Sequence, residues 1–214
     1  MRKITKRKEP RSLTRRRAAV VADDPRGYDD YNEKDELRAA LVAEQRALCC
    51  YCMGRIVNDP LKMKIEHWRC QTTYRDQQLV YKNLLGACLG GEGQPPRNQH
   101  CDTRKANQDL LWNPAIAAHA IEARIRYLAD GRIESNNSDF NYQLCKVLGL
   151  NIANLKNERK AVLDSVLDWW RATPSAREHL EEKLSEQTET AGEFKPFSPV
   201  AVWFLKEKMK GGTA

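Results

Sequence analysis

The stretch Leu48 to Ile56, LCCYCMGRI, puts three cysteines into four positions. Cys49 and Cys52 are spaced C-x-x-C, so one tight turn presents both thiols to a single tetrahedral metal. A thioredoxin-type redox pair shares that spacing. A redox pair needs a helix starting after its first cysteine, and MGRI followed by Val57 to Pro60 supplies none. A zinc reading needs a second pair. Cys88 and Cys101 supply one, across a wide Gly/Pro-rich stretch. The chain has seven cysteines, an odd number that weakens a disulfide framework. Cys50, Cys70 and Cys145 have no spaced partner and read as small buried hydrophobes.

No apolar run reaches the ~18 residues of a membrane span, and no apolar segment follows the basic N-terminus as a signal peptide requires. A cytoplasmic protein with reduced thiols is expected. Charge is uneven. Residues 1–17 hold nine Lys or Arg against one Glu, whereas the whole chain carries +7. A basic arm over 1–31 suits a polyanion such as nucleic acid; a solvated tail is the bland alternative.

Asn32 to Leu48 reads as a helix with Leu37, Ala40, Leu41 and Leu48 on one face, interrupted by Glu44. Residues 60–70 alternate as a short strand, and 86–100 read as a loop. Alternation over 121–127, with a turn at Asp130-Gly131, predicts a β-hairpin; a helix over 115–128 competes. Four helical segments follow. Ser138 caps 139–148, which ends at Gly149; Asn151 caps a long helix; Ser175 and Glu178 box 176–187; Ser198-Pro199 opens the last. The fold class is α+β, a small core with a four-cysteine clip inside a mostly helical chain.

Between the cysteine pairs lie Glu66-His67, Asn83 and, after Cys101, Asp102 and Lys105. Each alone is weak: a lone His is more often structural, Asn83 could hold a turn, and Asp102 could cap a helix over 103–110. Their order carries the signal. The series Cys49-x-x-Cys52, Glu66-His67, Asn83, Cys88, Cys101-Asp102-x-x-Lys105 resembles the HNH endonucleases of the ββα-metal fold. The blocks RALCCYCMGRI, IEHW, NLLGACLGG, HCDTRKAN, RYLADGRI and VLGLNIANLKNERKAVL resemble the HNH component of the Septu anti-phage systems, the PtuB family, also found beside some retrons.

The resemblance implies an HNH domain over 32–113 with its preceding helix; the β-hairpin and helical region over 114–214 is the candidate partner-docking surface, from the exposed charges and spare helices of the segment from 137 onward. The resemblance implies His67 as general base, with Glu66 and Asp102 on a catalytic Mg²⁺ or other divalent ion. His100 is the alternative ligand to Asp102. Asn83 braces the loop that orients His67, and Cys49, Cys52, Cys88 and Cys101 hold a structural zinc. Arg104 and Lys105 contact nucleic acid, DNA ahead of RNA. The partner is a PtuA-like ATPase of the ABC and SMC families. A non-catalytic, zinc-stabilised nucleic-acid-binding or adaptor subunit is the competing class. One geometric tension stands: adjacent residues of an ideal strand face opposite ways, so Glu66 and His67 share a site only where the strand bends or ends.

Overall fold

The computed structural model describes residues 1–189 and 191–211. Helix α2 spans Lys34–Glu44, with Asp35 and Glu36 in its first turn where the helix dipole favours acids. It stops short of Leu48 because Arg46 and Ala47 take positive φ (53° and 61°) and turn the chain into the cysteines. Glu44, the break in the apolar face, is buried for a reason. It accepts from Lys6 Nζ at 2.5 Å, from the Arg7 N–H at 3.1 Å and from the Tyr81 hydroxyl at 2.7 Å.

The N-terminal arm is therefore no solvated tail. The Ile4 N–H donates to the Pro114 carbonyl at 2.9 Å. Helix α1 (Arg11–Ala19), which the sequence pattern did not reveal, buries Leu13 with Tyr31, Leu37, Leu41, Leu79, Tyr81 and Leu84. Several arm cations are spent internally. Lys6 also reaches the Leu84 carbonyl, and Arg17 holds Glu9 and the Leu79 carbonyl.

Strand β1 (Met63–His67) pairs antiparallel with β2 (Leu84–Cys88), Met63 opposite Cys88 and His67 opposite Leu84. The loop expected from residue 86 begins only after Cys88. Gly86 lies within β2 because the cysteine turn packs directly on it. The Cys50 N–H and Gln45 Nε2 both donate to its carbonyl, and a Cβ there would stand 2.8 Å from Ile56. Helix α3 (Cys101–Lys105) packs on β2. Asp102 sits in its first turn rather than capping a helix over 103–110.

The second hairpin is real but minimal: β3 (Arg126–Tyr127) pairs with β4 (Ile133–Glu134), and Ile121–Arg124 form a 3₁₀ turn. Helix α4 (Ser138–Tyr142) is capped by Asn137, whose Oδ1 accepts from the Phe140 N–H at 2.9 Å, not by Ser138. It runs through a π-helical turn to Gly149 (φ 59°). Helix α5 (Ala153–Ala172) is not capped by Asn151, whose amide instead bridges the Ile133 N–H and carbonyl. Helix α6 (Leu180–Thr188) starts later than the Ser175–Glu178 pattern implies, because Ser175 has φ 51° and residues 175–179 form turns. Pro199 opens α7 (Pro199–Met209) as expected, and α7 packs on α5 and α6.

The result is a mixed helical protein with two small antiparallel sheets. One apolar cluster runs from Met1 and Ile4 through the cysteine turn to Phe204 and Leu205, so residues from 1–31, 32–113 and 114–214 share it. Among the described residues no helix is long and apolar enough to cross a membrane. Leu13 anchors the arm in the second cluster, with Tyr31, Leu37 and Leu84, so Leu13→Ala should cost about 2–5 kcal/mol in denaturant unfolding. A free arm would leave the unfolding curve unmoved.

Candidate metal centre and the His67 site

Cys49 and Cys52 come from the turn after α2, Cys88 from the end of β2 and Cys101 from the start of α3. Their four sulfurs lie within 4.8 Å of one another. Cys49 to Cys101 is 3.8 Å and Cys52 to Cys88 is 3.7 Å. A tetrahedral ion bound at about 2.3 Å from each sulfur spaces them about 3.8 Å apart. Backbone amides already point at the thiols: the Gly54 N–H at Cys52 Sγ (3.3 Å) and the Cys88 N–H at Cys49 Sγ (3.4 Å). Burial pushes the Cys49 thiol up, but hydrogen bonds from the neighbouring thiols outweigh it and bring Cys49 well below its usual range. Burial, then the same neighbours, raise Cys101. Four sulfurs crowded into one mostly buried volume call for a cation. An all-sulfur, tetrahedrally sized donor set fits a zinc-type site.

His100, the expected alternative to Asp102, belongs to this cluster. Its Nδ1 lies 3.1 Å from Cys101 Sγ and 4.0 Å from Cys88 Sγ. Cys50 and Cys70 are buried, and Cys145 Sγ accepts from Asn151 Nδ2 at 3.2 Å.

Beside the clip, β1 sorts its side chains by parity. Lys64 and Glu66 face α3, whereas Ile65 and His67 face the N-terminal segment. Glu66 Oε1 accepts from the Tyr51 hydroxyl at 2.6 Å and pairs with Lys105 Nζ at 2.8 Å. Burial pushes the Glu66 carboxyl well above the usual range, the adjoining Asp102 carboxylate adds to this, and Lys105 opposes it. Asp102 stays partly exposed, 3.8 Å from Lys64 Nζ. Two carboxylates at such close quarters favour either a shared proton or a bound cation.

Lys105 is not placed to touch nucleic acid. Its side chain is 1% exposed and also donates to the His67 carbonyl at 3.2 Å. It is an internal brace. Arg104 is half-buried, donating to the Lys146 and Pro96 carbonyls.

His67 Nε2 lies 3.0 Å from the Gln78 carbonyl. A carbonyl only accepts, so Nε2 carries the proton and Nδ1 keeps a lone pair. Burial first, with Lys105 assisting, lowers the imidazole to about 4, against the Gln78 hydrogen bond and the Asp102 charge. Asn83 holds the loop that presents Gln78. Its Oδ1 accepts from the Arg69 N–H (2.7 Å), and its Nδ2 donates to the Arg69 and Gln77 carbonyls (3.0 and 3.1 Å). Asp102 adjoins Glu66 and its charge reaches His67, although Glu66 and His67 serve opposite faces of the ribbon at its end. Tyr51, Gln78 and Tyr28, whose ring meets His67 edge-on at 4.4 Å, went unflagged in the sequence. Tyr51, inside the C-x-x-C, was the one with a positional clue.

Elemental analysis of the purified chain should return about one zinc per chain, lost in Cys101→Ser together with solubility. His67 also gives a pH signature. Its folded value of about 4 lies below the ~6.5 of an unfolded histidine, so the unfolded chain gains the proton first as pH falls. The stability held above pH ~6.5 is lost progressively toward pH 4. Between pH 7 and 5 the native protein should therefore lose about 2 kcal/mol more than His67→Asn in denaturant melts; equal losses would contradict the buried neutral imidazole. No protein-family model matches this sequence and no curated protein matches it.

Proposed function

We propose that this chain is a metal-dependent endonuclease of the HNH type that hydrolyses phosphodiester bonds of nucleic acid. The observation that carries the reading is a neutral imidazole of fixed tautomer at the end of one short hairpin, within the field of the Asp102 carboxylate that adjoins Glu66 on the other face, beside a four-thiol clip. A divalent ion held by Glu66 and Asp102 would supply positive charge to the phosphate and its leaving oxygen. The chain's own residues do the rest. His67 Nδ1, unprotonated at neutral pH, takes the proton of the attacking water. The Gln78 carbonyl keeps that nitrogen free by holding the proton on Nε2. Asn83 acts as a positioning residue by fixing residues 69 and 77 on either side of the loop. Lys105 and Tyr51 orient the Glu66 carboxylate from behind.

By its resemblance, the chain is further proposed to be the nuclease effector of an anti-phage complex. A PtuA-like ATPase of the ABC and SMC families would gate it and dock on the helical half. The exposed acids and bases of α5 and α6 suit a polar interface of that kind.

A second reading, a non-catalytic zinc-stabilised module, is favoured by one observation. Glu66 and Lys105 form a fully buried ion pair, as structural pairs do. Nicking of supercoiled DNA and degradation of RNA, each with Mg²⁺ and with chelator, separates the two. Under the nuclease reading, His67→Ala and Asp102→Asn lose about 10²-fold or more of a metal-dependent cleavage while keeping their zinc. Cleavage that survives both substitutions belongs to something else, and the non-catalytic reading then stands.

A further inference from the structure

The groups assigned to chemistry are nearly sealed from solvent: Glu66 is 2% exposed and His67 9%. A phosphodiester arrives as part of a polymer, so it cannot thread to a base enclosed on all sides. The cover over His67 is not the hairpin itself. The ring of Tyr28 packs edge-on against the imidazole, centroids 4.4 Å apart and planes at 87°. Tyr28 belongs to the connection between α1 and α2, where Val21, Ala22, Asp23, Pro25, Arg26, Asp29 and Asp30 are all exposed.

That connection is held to the hairpin loop chiefly by one side chain. The Tyr28 N–H donates to Gln78 Oε1 at 2.9 Å, and Gln78 Nε2 donates to the Asp24 carbonyl at 2.7 Å. Gly27 lies flat on the same carboxamide, where a Cβ would stand 2.9 Å from Nε2. Beyond Gln78, the Gln71 amide reaches Asp29 at a long 3.3 Å. Among the described residues no ion pair joins 20–31 to 68–83. Gln78 Nε2 also reaches the Ala22 carbonyl at a long 3.5 Å. Four hydrogen bonds, three of them through Gln78, thus make a weak hold on the hairpin loop, while Arg16 ties the Gly27 and Arg26 carbonyls back to α1. Local opening of such a segment lies at the low end of the protein's stability range. The latch is also wired to the base, since the carbonyl of this same Gln78 accepts the His67 proton.

We propose that residues 22–30 are a lid over His67, with Tyr28 as its plug and the Gln78 carboxamide as its latch, and that the lid opens to admit a nucleic-acid backbone. The purpose of opening rests on the nuclease reading; the lid itself is a property of the fold. Its test needs no activity. Diethyl pyrocarbonate acylates accessible neutral imidazoles, and peptide mass mapping of the full, zinc-loaded chain resolves each histidine. His179, whose side chain is about half exposed, serves as the internal standard. In the native protein His67 should react at least 10-fold more slowly than His179. In Tyr28→Ala, and separately in Gln78→Leu, its rate should rise about 10-fold, with zinc content and circular dichroism unchanged. A native His67 that reacts as fast as His179, or no acceleration in either folded variant, overturns the lid. Faster His67 labelling together with faster cleavage supports both proposals. Faster labelling with no cleavage by any of the proteins keeps the lid and removes the nuclease.

Discussion

Everything near the candidate site is fixed by closing four sulfurs into one small volume. The clip fastens three separate pieces of chain: the turn after α2, the end of β2 and the start of α3. It does so at a visible backbone cost, since Arg46, Ala47, Met53 and Cys101 all take positive φ without being glycine. Such conformations persist only where the surroundings over-determine them. Here the determinants are the thiols themselves and the packing of the turn on Gly86. A metal bound there contributes on the order of 10 kcal/mol to structural sites of this kind, ample to hold several strained residues. Because Cys101 opens α3, the clip also aims Asp102 and Lys105 at Glu66.

The basic arm shows how poorly formal charge reports on surface charge. Nine cations in the first seventeen residues suggest a free polyelectrolyte. In the fold, Lys6 neutralises a buried glutamate and lies over the Tyr81 ring at 3.8 Å, and Arg16 binds the Gly27 carbonyl at 2.9 Å. The arm is a strap whose cations satisfy carbonyls and carboxylates of the hairpin and of α2. What remains for a polyanion is a smaller set, the outward arginines of α1 among them.

Elements with strong local signals were legible. Periodicity gave α2, the alternation gave β1, and Ser198-Pro199 marked α7. The long helix α5 was also legible as an element, but not that Arg159 would join Leu155, Leu163 and Val166 on its buried face. Elements defined by partners were not legible. β2 hides behind a glycine required only because another turn presses on it, and Asn151 and Ser175 look like caps while their groups serve other contacts. The same division holds in the site. Cys49 and Cys52 are spaced by rule and Glu66 and His67 are adjacent, whereas Cys88 and Cys101 stood out only as the second pair that a zinc clip needs. Gln78, Tyr28 and Tyr51 are brought to them by loops of no regular period. Lys105 could be seen but not its role, because burial decides whether a lysine is a contact or a brace.

Arg159 carries one more consequence. It is 2% exposed, deep in α5, and donates to the Gly131 and Leu150 carbonyls and to Asn151 Oδ1. Among the described residues no carboxylate lies within ion-pair distance. An interior cation without an acid is costly. Burial lowers its affinity for the proton, and Tyr127, the Cys52 and Cys101 sulfurs and the more distant Asp130 carboxylate oppose that. What holds the guanidinium is oxygen: three acceptors from two separate pieces of chain, the turn at Gly131 and the adjacent pair Leu150 and Asn151. Arg159 is thus a rivet: one side chain of α5 fastens the turn between β3 and β4 to the segment that leads into α5, and its removal would leave those carbonyls buried and unpaired.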